Sequence, residues 1–213
     1  MSYITNLPVN NTFNVTAYFG QENKSLWTNG HKGIDIVGEK TLYSVCDGVV
    51  TYQGYDKSWG SYVSVMPNGF DRIRFILCHM VKGSIKVKKG DKVSRTTVLG
   101  TMGTTGNSTG VHVHIECRID NTAVDPTPYL KIANKKATGL KAENYKTSVE
   151  ESNKILQQML YQFDGNNTSS IDYKALYEAE RVKAVELTSK VSNLEAQIAA
   201  LTKKINDAIN VLK

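Results

Sequence analysis

The chain has 213 residues, of which 40% are hydrophobic and 22% are charged, and its formal net charge is +6. This composition is typical of a folded protein and excludes an intrinsically disordered chain. No stretch approaches the roughly 20 apolar residues that span a bilayer, so we expect no membrane partner. The whole excess of positive charge lies in residues 1–140. This positive charge suits a polyanionic partner such as a cell wall, although a nucleic acid would also be compatible with it.

The beginning of the chain lacks the features of a secretory signal. Residues 1–8, MSYITNLP, contain neither a basic segment nor an apolar core. We therefore expect a protein made in the cytoplasm without a signal peptide. If its substrate lies outside the cell, something other than its own leader must deliver it.

Residues 1 to about 130 are predicted to be β structure. Short runs rich in Val, Ile, Tyr and Thr alternate with glycine-containing turns, a pattern typical of strands and hairpins. The clearest runs are 48–52, 61–66 and 72–77, and Pro67-Asn68-Gly69 predicts a turn between the last two.

The three cysteines, Cys46, Cys78 and Cys117, are odd in number and form no Cys-x-x-Cys pair. We expect reduced, mostly buried thiols. Cys78 adjoins His79 and could be a nucleophile, but no second motif supports that role.

Beyond residue 141 the pattern becomes helical. Glycine nearly vanishes, and apolar residues take helical spacing between Val149 and Phe163. A heptad repeat follows at about 173–212, and it predicts a coiled coil, for which β-branched residues at a and leucine at d favour a parallel dimer. The alternative is a helix that folds back on its neighbour at 144–163. The a positions are Tyr177, Ala184, Val191, Ile198, Ile205 and Leu212, and the d positions are Leu187, Leu194, Leu201 and Ala208.

Chemistry is indicated first by the histidines, of which the chain has only four. His112 and His114 lie two residues apart in a predicted strand, so both imidazoles face the same side of the sheet. His31 and Asp35 supply a further imidazole and a carboxylate. Together these residues offer enough ligands for zinc with an open position for water.

Five segments in this order resemble the lysostaphin-type (LytM-like) zinc metalloendopeptidases, and the resemblance covers about residues 13–130. The segments are HKGID at 31–35, CDGVV at 46–50, LCHM at 77–80, VKKGDKV at 87–93 and GNSTGVHVHIE at 106–116. The glycine-rich part of the last segment is no nucleotide loop, because no Lys-Ser/Thr follows it.

The resemblance implies roles for individual residues. His31, Asp35 and His114 would bind Zn²⁺, while His79 and His112 would be the two unliganded catalytic histidines. Two neutral imidazoles and one carboxylate leave the site with a net charge of about +1, so the metal would remain a strong Lewis acid. Either catalytic histidine could accept a proton, and the other could then stabilise the oxyanion.

The resemblance also implies a fold and a function. We expect a mainly β catalytic domain at 1–132, whose antiparallel sheets form a groove, then a linker at 133–143 and an α-helical, coiled-coil region at 144–213. The expected activity is hydrolysis of a peptide bond in bacterial peptidoglycan, in the stem or cross-bridge, with no nucleic-acid partner.

The missing leader favours a bacteriolytic phage endolysin released through a holin, and the coiled coil allows a homo-oligomer. The alternatives are a virion-associated wall-degrading protein, a virion coiled-coil protein with an incidental β domain, and an inactive LytM-like binding or activator module.

Overall fold

The computed structural model describes residues 5–23, 25, 27, 29–166, 190–191, 193–195 and 197–203. The chain divides into two compact units, Met1–Gln158 and Met159–Lys213. The described residues form eleven strands, which are β1 (Thr12–Ala17), β2 (Ile34–Val37), β3 (Thr41–Tyr43), β4 (Gly48–Asp56), β5 (Gly60–Pro67), β6 (Ile73–Met80), β7 (Lys92–Val93), β8 (Val98–Thr101), β9 (Val113–Ile119), β10 (Thr122–Val124) and β11 (Ala137–Lys141). The α-helices among the described residues that have assigned bounds are α1 (Thr127–Leu130) and α2 (Val149–Asn166), and a 3-10 helix spans Ala142–Tyr145.

Nine strands form one sheet, in the order β11-β1-β2-β9-β6-β5-β4-β7, with β10 paired to β9. Strands β3 and β8 form a second, two-stranded sheet. The neighbouring strands of both sheets run antiparallel. The prediction of a mainly antiparallel β domain is therefore confirmed.

The hairpin predicted around Pro67 joins β5 to β6. Gly69 has a φ of +80°, in the left-handed region where glycine avoids the steric penalty of a side chain. The register across this hairpin pairs Val65 with Phe75 and Val63 with Leu77. All four of these side chains are completely buried, so the turn delivers matching apolar residues to the core.

Alternation along the central strands separates core from site. On β9, Val113 and Ile115 are completely buried, and they point away from the face that carries His114 and Glu116. Strand β2 pairs with β9 and places Asp35 opposite His114. The apolar face anchors the sheet, and the opposite face collects the polar groups.

The segment predicted as a linker, 133–143, contains β11 and the start of the 3-10 helix. Strand β11 pairs with β1, with Leu140 opposite Phe13. The 3-10 helix begins at Ala142, which is completely buried. These residues therefore extend the large sheet and its core.

A buried arginine fastens the beginning of α2 to the β strands. The Arg95 guanidinium donates hydrogen bonds to Asn6 Oδ1 (3.1 Å), the Thr147 carbonyl (3.2 Å) and Ser152 Oγ (3.3 Å). Its side chain also lies 3.7 Å from Asp47 Oδ1. A buried charge of this kind is costly unless it is paired, so the surrounding segments stabilise one another through it.

The residues described between 190 and 203 are helical. Most of the coiled coil predicted at 173–212 lies outside the described residues. In the part of the chain that the structure describes, no helix is long and apolar enough to cross a membrane.

Candidate metal and catalytic site

Three buried side chains on neighbouring elements converge at one point. Asp35 lies on β2, His114 lies opposite it on β9, and His31 lies in the segment just before β2. The Asp35 Oδ1 atom is 2.8 Å from His114 Nδ1 and 3.2 Å from His31 Nε2. The two imidazole nitrogens are 3.0 Å apart. These are the three residues from which the sequence predicts metal binding, and their ligand atoms form a compact cluster.

The spacing and the tautomers fit a zinc ion. Tetrahedral ligands at about 2.0–2.2 Å from zinc lie roughly 3.3 Å apart, close to the observed spacing. His31 donates its Nδ1–H to the Tyr18 carbonyl at 3.1 Å, and His114 donates its Nε2–H to Glu116 Oε1 at 3.2 Å. The remaining nitrogen of each ring is therefore the one near Asp35. Such outer partners are typical of metal-binding histidines.

The electrostatics of the cluster favour a cation. Burial raises the pKa of the Asp35 carboxyl, but hydrogen bonds from His114 and His31 outweigh this effect and hold the pKa well below its usual range. Burial lowers the pKa of His114, whereas its hydrogen bonds to Asp35 and Glu116 raise it to about 9. The carboxylates thus stabilise positive charge at this point, and a bound metal ion would replace the proton that they otherwise favour on His114.

The other two histidines lie beside the cluster. The rings of His79 and His112 have centroids 4.7 Å apart. His79 donates its Nδ1–H to the Thr105 carbonyl at 2.8 Å, and His112 donates its Nδ1–H to the Gly110 carbonyl at 2.8 Å. In both rings the Nε2 atom remains for chemistry, and that of His112 is 3.7 Å from Asp35 Oδ1.

The backbone of His79 is strained. Its φ is +63°, in the left-handed region that residues with a side chain rarely adopt. Its amide donates to the Trp59 carbonyl at 2.7 Å, which together with the bond to Thr105 holds both backbone and ring. Strain of this kind persists where the surroundings over-determine a conformation, often at functional sites. Burial lowers the pKa of His79 to about 4, so the ring is neutral at pH 7.

All five residues that the sequence predicts for the site line one cavity of about 170 Å³. The structure therefore brings every one of them together. Further lining residues received no role from the sequence, and they include Trp27, Lys32, Trp59, Ser108 and Glu116.

Glu116 and Trp59 differ in how clearly the sequence indicates that they belong to the site. Glu116 follows His114 by two positions on β9, so the alternation His-x-His-x-Glu already predicts that it shares the face of His114. Trp59 lies in the turn between β4 and β5. Nothing in the local sequence indicates that this turn reaches the site.

Gly33 is required by close packing against β9, the strand that carries His114. A Cβ atom at this position would lie 2.2 Å from the Ile115 carbonyl oxygen and 2.8 Å from His114 Cε1. Any side chain would thus push β9 and the imidazole away from His31. The absence of a side chain lets the segment before β2 pack directly onto β9.

The cysteines take no part in this chemistry. Cys46, Cys78 and Cys117 are free and buried, as predicted. Burial raises the pKa of the Cys78 thiol well above its usual range. A thiol that remains protonated is a poor nucleophile, which supports the interpretation of Cys78 as a structural residue.

Comparison with known proteins identifies the domain that carries the site. The profile of peptidase family M23 matches residues 29–126. A protein of Neisseria meningitidis serogroup B, the DD-carboxypeptidase/endopeptidase Mpg, is 32% identical over 116 residues, which cover 50% of this chain and 26% of that protein. The glycyl-glycine endopeptidase ALE-1 of Staphylococcus capitis is 31% identical over 130 residues, covering 55% of this chain and 34% of that protein.

A solved structure shares the fold. The catalytic domain of lysostaphin from Staphylococcus simulans superposes with a TM-score of 0.51 at 24% identity, covering 58% of this chain and 94% of that domain. The chain spans only about a quarter to a third of the length of the two relatives above. All five residues of the site lie within the matched range, and residues 29–126 of this chain are a peptidase family M23 domain.

Proposed function

We propose that this chain is a zinc-dependent peptidoglycan endopeptidase that hydrolyses a peptide bond in the stem or cross-bridge of the bacterial wall. The observation that carries this proposal is the convergence of His31, Asp35 and His114 on one point, with His79 and His112 beside it. Relatives that carry the names of peptidoglycan endopeptidases support the substrate class.

His31 Nε2, Asp35 Oδ1 and His114 Nδ1 would hold the zinc. When bound, zinc supplies a Lewis acid that polarises a scissile carbonyl and acidifies water. His79, whose Nε2 lone pair stays free because its Nδ1–H is donated to the Thr105 carbonyl, would accept the proton from the attacking water. His112, whose Nδ1–H is donated to the Gly110 carbonyl, would stabilise the developing oxyanion as an imidazolium that also carries a proton on Nε2. The Thr105 carbonyl keeps His79 in the tautomer whose Nε2 can accept a proton, and the Gly110 carbonyl orients the His112 ring with its Nε2 available.

The biological setting is also part of the proposal. The positive charge of residues 1–140 supports attraction to an anionic wall. We propose a phage endolysin that is released through a holin-type pore, with a virion-associated wall-degrading protein as the second candidate.

We further propose that the helical region joins copies of the chain through a coiled coil at about 173–212. Four heptad positions, Val191, Leu194, Ile198 and Leu201, lie in helical residues that the structure describes, and each has at least half of its surface exposed. The spacing of three and four residues places them on one helix face, which a second copy could cover.

Purified cell walls test the proposed activity directly. The protein should lower the turbidity of a wall suspension, a chelator should abolish the effect, and added Zn²⁺ should restore it. Mass spectrometry of the released fragments should reveal new amino and carboxyl termini within the peptides. Fragments with intact peptides, or turbidity loss that a chelator does not affect, would contradict the proposal.

A further inference from the structure

We propose that Glu116, held in place by Trp59 and Arg118, is a positioning residue that fixes the tautomer and orientation of the metal ligand His114. The inference rests on the proposed zinc site. It adds to that site residues that hold a zinc-binding side chain in place without touching the zinc themselves. It concerns how tightly the domain holds its ion, which can be measured without substrate.

The contact between Glu116 and His114 is direct. Glu116 Oε1 accepts a hydrogen bond from His114 Nε2 at 3.2 Å, on the opposite side of the ring from Asp35. Glu116 is itself 3% exposed. Because Nε2 carries the ring proton and donates it to the carboxylate, the lone pair of His114 lies on Nδ1, the atom that is 3.0 Å from His31 Nε2. A carboxylate behind a ligating histidine also increases the basicity of the ring.

Two further side chains prevent Glu116 from turning away. The Trp59 indole donates its Nε1–H to Glu116 Oε1 at 3.0 Å, and Arg118 donates its Nε–H to Glu116 Oε2 at 2.6 Å. The Arg118 guanidinium carbon lies 5.2 Å from the centroid of the Trp59 ring, within the range of a cation–π contact. Both oxygens of the carboxylate are therefore engaged, so its orientation toward His114 is determined.

Trp59 also connects this network to the catalytic histidine. Its backbone carbonyl accepts the hydrogen bond from the His79 amide, at the residue whose backbone is strained. The same residue thus supports a metal ligand through its side chain and His79 through its main chain. Through these two contacts the turn between β4 and β5 reaches the site.

The experiment measures the zinc affinity of the 213-residue chain by competition with a chromophoric chelator. Glu116→Ala should weaken zinc binding by about 10–100-fold, as is usual when an outer partner of a metal ligand is lost. Glu116→Gln should lose less zinc affinity than Glu116→Ala, since its amide oxygen can still accept a hydrogen bond from His114. Trp59→Phe keeps an aromatic ring but removes the N–H donor to Glu116, so its zinc affinity should also fall, though by less than in Glu116→Ala. Asp120→Asn is the matched control, because it breaks an exposed ion pair with Arg72 away from the cavity.

Thermal unfolding of the metal-free proteins and the visible spectra of the Co²⁺-loaded proteins separate positioning from general stability. The inference expects Glu116→Gln to unfold near the wild-type temperature while its Co²⁺ spectrum and zinc affinity change. Wild-type zinc affinity in both Glu116 variants would overturn the inference and leave the zinc site intact. A wild-type protein that binds no zinc would instead overturn the proposed function on which the inference rests.

Discussion

The β domain and the helical residues at 190–203 use apolar side chains in opposite ways. In the β domain, Val113 and Ile115 are completely buried by the chain itself. In the helical residues, Leu194 and Ile198 are 57% and 62% exposed although their spacing is just as regular. An apolar pattern therefore predicts an element in both regions, but among the described residues only the β domain also contains the surface against which the apolar side chains pack.

This difference in burial determines which of the two regions can hold side chains in fixed positions. Burial of one face of β9 fixes which side His114 occupies, since a register slip of one residue would move every side chain to the other face. The helical residues carry no comparable constraint from within the described chain. The fold of the β domain thus fixes the positions of its site residues, whereas the role that we propose for the helical region would depend on a second copy of the chain.

The largest expected effect concerns chemistry in the β domain. His79→Ala and His112→Ala should retain zinc and fold, but each should lower the rate of wall hydrolysis by about 100-fold or more if the ring transfers a proton or stabilises the oxyanion. Initial rates on wall fragments, with zinc content measured on the same samples, check this. Near-normal turnover in either variant would remove that histidine from the proposed mechanism.

The next prediction locates the end of the β domain. A chain truncated after Asn166 should remain folded, whereas one truncated after Leu140 should lose several kcal/mol of stability. The shorter chain lacks the Thr147 carbonyl and Ser152 Oγ that pair with buried Arg95, and unpaired buried groups cost about 1–3 kcal/mol each. It also lacks Leu156, which is 1% exposed. Thermal unfolding followed by circular dichroism compares the two, and equal midpoints would place the domain boundary at 140.

The smallest effect on catalysis is expected from the helical face. Replacing Ile198 and Leu201 together by Asp should convert an oligomer into a monomer and leave the hydrolysis of small wall fragments unchanged, because both residues lie far along the chain from the site. Ala199→Asp, a neighbouring substitution off the heptad face, is the matched control. Light scattering gives the mass, and a monomeric wild-type protein at micromolar concentration would exclude the coiled-coil dimer.

Much of the fold and site could be predicted from the sequence because local patterns determine them. The alternation around His112 and His114 predicts a strand with both imidazoles on one side, and β9 begins at Val113 between them. The turn at Gly69 follows from residue types that accept its backbone geometry. The convergence of His31 with His114 needed the resemblance, since nothing local joins residues 83 positions apart.

The rest could not be predicted because it depends on long-range packing of the backbone. The order of residue types does not indicate the strained φ of His79. Nor does it indicate that the carbonyls of Thr105 and Gly110 orient the two catalytic rings. Gly33 is needed because it lies in close contact with β9, and only the fold reveals this contact. The role of β11 in extending the sheet was missed, because its sequence, ATGLK, resembles a loop.

The zinc content of the purified protein tests the central claim most directly. Elemental analysis should find about one zinc per wild-type chain and should find most of it lost in Asp35→Ala and His114→Ala, because each substitution removes one of the three ligand atoms. His112→Ala, which alters a neighbouring histidine outside the cluster, should retain the metal and serves as the control. Full zinc retention in both Asp35→Ala and His114→Ala would contradict the account.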